Sequence, residues 1–532
     1  MTATPGGSVR RDPTPDEIKD LVAKTPPSGK KRSLGFLAFV ACLGSLLFGY
    51  DTGVIAGALP FMHMPGEAGG LHLNAVEEGL IGGLLAIGAA IGAIVGGRMS
   101  DRYGRRHNIT MLAIVFIIGT LGCTFAPNIW VLYPFRIILG FAVGGASATV
   151  PVFLAESAPK RLRGPLVAID QFMIVFGQLV AYTMNAWISS HNGGPRVETT
   201  TGGMTWDDAQ PALNNGSLLL ENITGGNGAA WRWMLVLATI PAILLWIGIR
   251  MMPESSRWYA ANFRYPEAIG ALKRLRDESK DSVEGEIEQM VEVNRQEAEQ
   301  EKWTLRQAWN TKWTKKILLI GITLGCFDQL TGINTAMYYL PKILHAVGFA
   351  SADAITLNVY TGIASCIGAG TGLWVVAKFL RRHVGIYQEA GITIALSLLA
   401  LVFAFGVAPY EMEDGTISSA IPSMIPWIVL VLVAVFVFIK QSGTVVWIYM
   451  GELFPAKIRG IGNGLAVGCL WIMNAVVTFV FPPMIENLGG AITYGIFAAI
   501  NFCALLFYIK VVPETKIYSL EEIEERLEKA YS

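Results

Sequence analysis

Charge is scarce in this chain. Lys, Arg, Asp and Glu make up 15% of its 532 residues, where a soluble globular chain carries about 25%. The two signs balance at 41 each, so no nucleic-acid or acidic partner is implied. Histidine is rare as well, six in all and scattered. There is no nucleophile–base constellation, phosphate loop or metal-ligand spacing, so nothing points to an enzyme, a cofactor or a metal. The six cysteines (Cys42, Cys123, Cys326, Cys366, Cys469 and Cys503) fall singly inside apolar runs. That is neither a disulfide framework nor a zinc pattern, and they read as small hydrophobes in packed helices. No cleavable signal peptide is visible: the first 33 residues are polar and basic, and the first apolar run is too long for a signal core.

Apolar sequence is what abounds. Hydrophobic residues reach 52% and the mean hydropathy is +0.46. Runs long enough to cross a bilayer recur along the chain. Twelve spans are expected, at 34–60, 77–98, 108–126, 130–153, 166–190, 231–252, 315–343, 355–377, 385–407, 422–449, 461–484 and 489–511. The expected fold is an all-α membrane protein of two six-helix pseudo-repeats. Its parts are a tail (1–33), a first bundle (34–252), a helical linker (253–314), a second bundle (315–511) and a tail (512–532). A capping box, Ser519 with Glu522, is expected to open a helix in the last segment.

Basic residues set the orientation. They crowd the N-terminus (Lys30, Lys31, Arg32) and the loops after spans 2, 4, 8 and 10, while the 1–2, 3–4, 9–10 and 11–12 loops have none. Both termini and the linker are therefore expected in the cytoplasm of a multi-pass cell-membrane protein. Loop 191–230 is expected outside, with N-x-Ser/Thr sequons at Asn215 and Asn222.

The halves repeat. Glu156–Gly164 after span 4 and Glu452–Gly460 after span 10 both read E-x-x-P-x-x-x-R-G, and Pro253-Glu254 echoes Pro513-Glu514. Two six-span repeats meeting at a central cavity is a transporter architecture. Further motifs are GRMSDRYGRR at 97–106, FGYDTG at 48–53, PESSRW at 253–258, QLTGIN at 329–334 and PETK at 513–516. Together and in this order they resemble the sugar porter family of the major facilitator superfamily, from about residue 34 to 525. The runs GYDTGVIAGAL at 49–59 and LWIMNA at 470–475 look most like bacterial myo-inositol/proton symporters.

Asp51 in span 1 and Arg136 in span 4 fall within about 5 Å in depth at 1.5 Å per residue. Intramembrane charges usually pair and face a cavity. Protonation of Asp51 would release Arg136 and couple a proton to helix movement; a purely structural ion pair is the competing reading. The resemblance favours the first, because proton-coupled sugar porters carry an acid here. Gln171 and Gln178 share one face of span 5, and amides suit vicinal hydroxyls. The family resemblance implies that both line the sugar site, joined by Gln329 and Asn334 beside Gly332 in span 7. Trp471 is a stacking candidate or a core aromatic, and Phe48 and Tyr338 are candidates for pocket wall and outer gate. Asp101, Arg102, Arg105 and Arg106, with the pairs Glu156/Arg163 and Glu452/Arg459, read as a latch of salt bridges at the cytoplasmic helix ends.

The chain also departs from the family pattern. Asp328 stands where the family has a first glutamine, Ser442 replaces a tryptophan, Leu470 replaces a glutamine, and Ala377 replaces the acid of the second-half latch. Two unusual charges, Asp328 in the substrate region and Lys440 in span 10, are expected to pair, with snorkelling of Lys440 as the alternative. The expected activity is proton-coupled transport of a sugar or polyol by alternating access, most like myo-inositol symport, in a lipid bilayer and as a monomer. A facilitative hexose or pentose uniporter is the alternative, and a non-transporting sugar sensor a further one.

Overall fold

The computed structural model describes residues 12–277, 281–299, 303–412, 417–418, 420–455, 457–517, 522, 525–526 and 528–529. The expected capping box at Ser519 lies outside the described residues.

Among the described residues, eleven helices are long and apolar enough to cross a membrane, and the last, of 52 residues, holds two spans. Spans 1 to 6 are Leu34–Met62, Ala75–Tyr103, Arg105–Thr124, Ile129–Ser157, Lys160–His191 and Ala230–Arg250. Spans 7 to 10 are Lys312–His345, Ser351–Lys378, Arg381–Tyr410 and Met424–Glu452. Spans 11 and 12 share Arg459–Lys510 and part at Gly489, whose φ of 74° turns the chain where an L-side chain would be strained. The fold is thus a twelve-span, all-α membrane protein of two six-helix halves. Most spans run further than hydropathy suggests, because polar residues at their ends still satisfy backbone hydrogen bonds in a helix. Exposed tryptophans ring one end of the bundle: Trp130, Trp187, Trp233 and Trp427 are all more than half exposed, as indole rings at a membrane–water interface are.

Glycine lets the helices of the first half touch backbone to backbone. A Cβ on Gly88, Gly92 or Gly96 of span 2 would come 2.2, 2.1 or 2.7 Å from Ile137 O, Phe141 O or Gly145 Cα of span 4. A Cβ on Gly49 of span 1 would come 1.7 Å from Ile174 O of span 5. Without a hydrophobic drive between helices in lipid, this close packing is what holds them.

Four spans depart from a continuous α-helix, the first of them span 6 between Val236 and Thr239. Span 7 stops at Leu330 and resumes at Ile333, with Gly332 left-handed at φ 81°. The freed groups find partners: Thr331 Oγ1 donates to Asp328 O at 2.8 Å, and Asn501 Nδ2 reaches Thr331 O at 3.4 Å. Span 9 ends in a π turn over Phe403–Val407. Span 10 is interrupted between Ser442 and Val446.

The segment between spans 5 and 6 holds a structure that composition hides. Strands β1 (Arg196–Thr199), β2 (Gly202–Thr205) and β3 (Ile223–Gly226) form an antiparallel sheet in the order β2-β1-β3. The face of the bundle that carries it is called the sheet face below. The opposite, basic face carries the arginine-rich loops and the linker helices Ser256–Ala261, Tyr265–Leu275, Val283–Glu299 and Leu305–Asn310.

Candidate functional site

In the first half, Arg136 is fully buried and Asp51 is 2% exposed. Arg136 Nη1 lies 3.2 Å from Asp51 Oδ1, and Nε donates to Ile81 O at 3.1 Å. Asp51 Oδ2 and Arg136 Nη2 have no partner, so the pair holds spare hydrogen-bonding capacity. Tyr338 of span 7 sits within electrostatic reach of both and hydrogen bonds Asn474 of span 11. The pair therefore borders the second half.

The two glutamines of span 5 differ. Gln178 is buried and its Nε2 donates to Thr52 Oγ1 at 3.2 Å, leaving Oε1 unpartnered. Gln171, about 10 Å nearer the basic face at 1.5 Å per residue, is exposed. The structure puts them on one face but in different surroundings. Phe48 and Trp471 meet across the halves with ring centroids 5.7 Å apart, and Trp471 Nε1 is buried without a partner.

In the second half a chain of polar groups runs from the break in span 7 into the bundle. Asn334 Nδ2 donates to Gln329 Oε1 at 2.6 Å, and Gln329 Nε2 donates to Asp328 Oδ2 at 2.9 Å. Asp328 Oδ1 receives Lys440 Nζ at 2.5 Å, with both side chains about 5% exposed. Lys440 thus turns into the bundle rather than snorkelling to the surface. Gln388 of span 9 donates to Lys440 O at 3.0 Å.

Besides Glu78 of span 2, described below, two buried acids of the spans escaped the sequence reading. Asp170 in span 5 is fully buried and accepts from Ser45 Oγ at 2.6 Å. Glu389 in span 9 is 2% exposed. The rule that singles out Asp51, an acid inside an apolar run, applies to both.

The halves close at the sheet face. Lys342 Nζ of span 7 lies 2.5 Å from Glu78 Oε2 of span 2 and 2.8 Å from Glu486 Oε1 of span 11. His63 Nε2 lies 3.3 Å from the same Glu78 oxygen, and its Nδ1 lies 3.0 Å from Leu73 O. Both ring nitrogens thus face oxygen acceptors. Tyr182 Oη donates to Met337 O at 3.0 Å, and Ser351 N to Asp207 Oδ2 at 2.8 Å, each across the halves. At the basic face, Gly164 and Gly460 have open space around them. The polar contacts between the halves thus gather at the sheet face.

The basic-face clusters depart from the expected pairing. Glu156 pairs with Arg105 at 3.0 Å, not with Arg163, whose Nε donates to Ala155 O. Glu452 pairs with Arg381 at 2.9 Å, not with Arg459, whose Nε donates to Phe454 O. Seven residues separate each glutamate from its motif arginine, and the proline between them ends the helix, so the arginine folds back onto nearby carbonyls. Arg105 also meets Asp101 at 2.9 Å, while Arg102 lies over the Tyr103 ring. Glu254 accepts from Arg106 N and His107 N at the start of span 3, and Glu514 accepts from Arg381 N and Arg382 N at the start of span 9. A carboxylate at a helix N-terminus satisfies orphan amides and the helix dipole together.

Comparison with known proteins gives concordant matches. The family described as "Sugar (and other) transporter" matches residues 37–527. The major myo-inositol transporter IolT of Bacillus subtilis (strain 168) is 37% identical over 92% of this chain and 93% of its own. The galactose-proton symporter of Escherichia coli (strain K12) is 32% identical over 95% of this chain and 97% of its own. Among solved structures, the inward-open xylose transporter XylE from E. coli superposes with a TM-score of 0.69 at 26% identity. It covers 93% of this chain and 99% of that one.

Proposed function

The chain belongs to the sugar (and other) transporter family, and from that premise we propose that it is a proton-coupled sugar or polyol symporter, with myo-inositol its first candidate substrate. The carrying observation is the buried Asp51–Arg136 pair bordering the opposite half through Tyr338. An arginine keeps its charge under all physiological conditions, so a proton arriving at the pair goes to Asp51. The neutral acid weakens its hold on Arg136, whose spare Nη2 then seeks a new partner, and the halves rock. Gln178, Gln329 and Asn334 offer amide donors and acceptors to substrate hydroxyls, with Gln171 at the approach, Asp328 behind Gln329, and Trp471 and Phe48 as the apolar wall.

Positive-inside placement makes the basic face cytoplasmic. The arrangement is then the inward-open stage of alternating access in the cell membrane, with Lys342, Glu78 and Glu486 closing the outer side. The Arg105–Glu156 and Arg381–Glu452 clusters are the parts that meet when the inner side shuts. Identity with IolT supports the cyclitol and the galactose-proton symporter supports the proton. The test is radiolabelled myo-inositol uptake into proteoliposomes with and without an inward proton gradient. Gradient-driven accumulation that Asp51→Asn abolishes is expected. Equilibration without accumulation would mean a facilitative uniporter. Absence of uptake would remove myo-inositol and pass the question to a labelled panel of hexoses and pentoses.

A further inference from the structure

Glu389 is not used by the mechanism above, yet it lies where an acid is costly. It sits on span 9 about 12 Å from the basic-face end at 1.5 Å per residue, buried, and Oε2 has no hydrogen-bond partner. Its charged neighbours are Lys440 of span 10 and Asp328 of span 7. Tyr508 of span 12, whose hydroxyl is also buried and unpartnered, lies within electrostatic reach of it as well. Lys440 gives its ion pair to Asp328, and no ion pair joins Lys440 to Glu389 among the described residues. Two carboxylates therefore share one ammonium inside the membrane.

With both acids ionised the cluster would carry a net negative charge far from water. An ionised group inside a membrane span is costly unless it is paired. A buried carboxylate without donors relieves that cost by taking up a proton. Asp328 has two donors, Lys440 Nζ and Gln329 Nε2, whereas Glu389 Oε2 has none. The proton falls to Glu389.

We propose that Glu389, Asp328 and Lys440 form a second, one-proton binding site in the C-terminal half, linked to substrate through Gln329. Glu389 holds the proton in the inward-open form. Substrate hydroxyls that compete for Gln329 remove a donor from Asp328 and shift the balance of charge around Lys440. The proton at Glu389 is therefore bound or released with substrate, separately from Asp51. The link to substrate rests on the transporter reading; the protonation of Glu389 does not.

The decisive measurement is the infrared spectrum of the purified protein in detergent at neutral pH, in the protonated-carboxyl stretching region. Wild type is expected to show a carboxyl band that Glu389→Gln loses and Asp51→Asn keeps. Lys440→Met strips Asp328 of its counter-ion and is expected to add a band, which the further change Asp328→Asn removes. This arm keeps the test open should Glu389→Gln fail to fold. A Glu389→Gln spectrum identical to wild type, or a Lys440→Met spectrum without a new band, would overturn the proposal. A second readout is myo-inositol binding as a function of pH, where Glu389→Gln is expected to lose a titration step that Asp51→Asn retains. Unchanged pH dependence in Glu389→Gln would overturn the linkage. Failure of the wild-type protein to bind myo-inositol would instead strike the substrate assignment, with the infrared bands still deciding the proton site.

Discussion

The two halves repeat one architecture but solve the problem of buried charge differently. In the first half one acid faces one arginine, and the guanidinium has a second anchor on Ile81 O. In the second half two acids crowd one lysine. A guanidinium is always charged and forks between partners, whereas an ammonium is a compact point charge, and that of Lys440 pairs with Asp328 alone among the described residues. The first arrangement is balanced and can be unbalanced by one proton on Asp51. The second is balanced only if a proton is already present. At the basic face the contrast nearly vanishes: each half has an arginine on a glutamate (Arg105–Glu156, Arg381–Glu452) and a second glutamate over a helix start (Glu254, Glu514). The repeat is preserved at the basic face and diverges around the buried charges.

The largest effect that breaks this comparison is expected from Lys440→Met. Removing one partner of a buried ion pair costs about 3–5 kcal/mol, because the remaining charge is stranded. Lys440→Met should lower the thermal midpoint in detergent sharply and abolish transport. The double change with Asp328→Asn should recover most of the stability, since the Gln329 amide can still pair with an asparagine. A double variant no more stable than the single would show that Lys440 matters for something other than Asp328.

A smaller effect separates the two helix starts. Glu254 is 7% exposed and accepts from Arg106 N, His107 N and Ser255 N. Glu514 is half-buried and accepts from Arg381 N, Arg382 N, Thr515 N and Lys516 N, so exposure and not donor number sets it below Glu254. Hydrogen bonds to a charged group are worth about 1.5–3 kcal/mol when partly buried. Glu254→Ala is expected to fall within that range and Glu514→Ala below it, both read as thermal midpoints. Equal losses would mean that exposure does not distinguish the two ends.

How far the sequence foretold this depends on the kind of signal. Twelve spans and a two-fold repeat were legible because apolar length and motif spacing are local properties. The broken span 7 was legible from Gly332. The sheet of β1 to β3 was not, because Gly, Thr and Asn in 191–230 carry no alternating pattern. The ends of spans 2, 4 and 5 ran past hydropathy for a related reason: their last turns are polar yet still helical. Among site residues, depth along a helix brought Asp51 toward Arg136 and Asp328 toward Lys440. It could not choose which arginine meets Glu156, since Arg105 comes from another helix and only packing selects it over Arg163. Glu389 and Asp170 were overlooked although they obey the rule that singled out Asp51, so the sequence carried that signal unread.

The mildest test concerns Ala377, the one place where the basic-face clusters differ. Asp101 precedes Arg105 by four residues and touches it at 2.9 Å, but its side chain is 76% exposed. At the matching position before Arg381 the chain has Ala377, also exposed. Exposed pairs of this kind contribute about 0.2–1 kcal/mol. Ala377→Asp would restore the missing acid between Arg381 and Lys516, whose Nζ already reaches Ala377 O at 2.7 Å. The expected gain in thermal midpoint is at the limit of measurement and should vanish in high salt, because exposed charges are screened. A large, salt-resistant gain would mean that the second cluster is incomplete as it stands. A negligible one is expected, because Arg381 is already held by Glu452, and Glu452 by Thr515 Oγ1 at 2.7 Å.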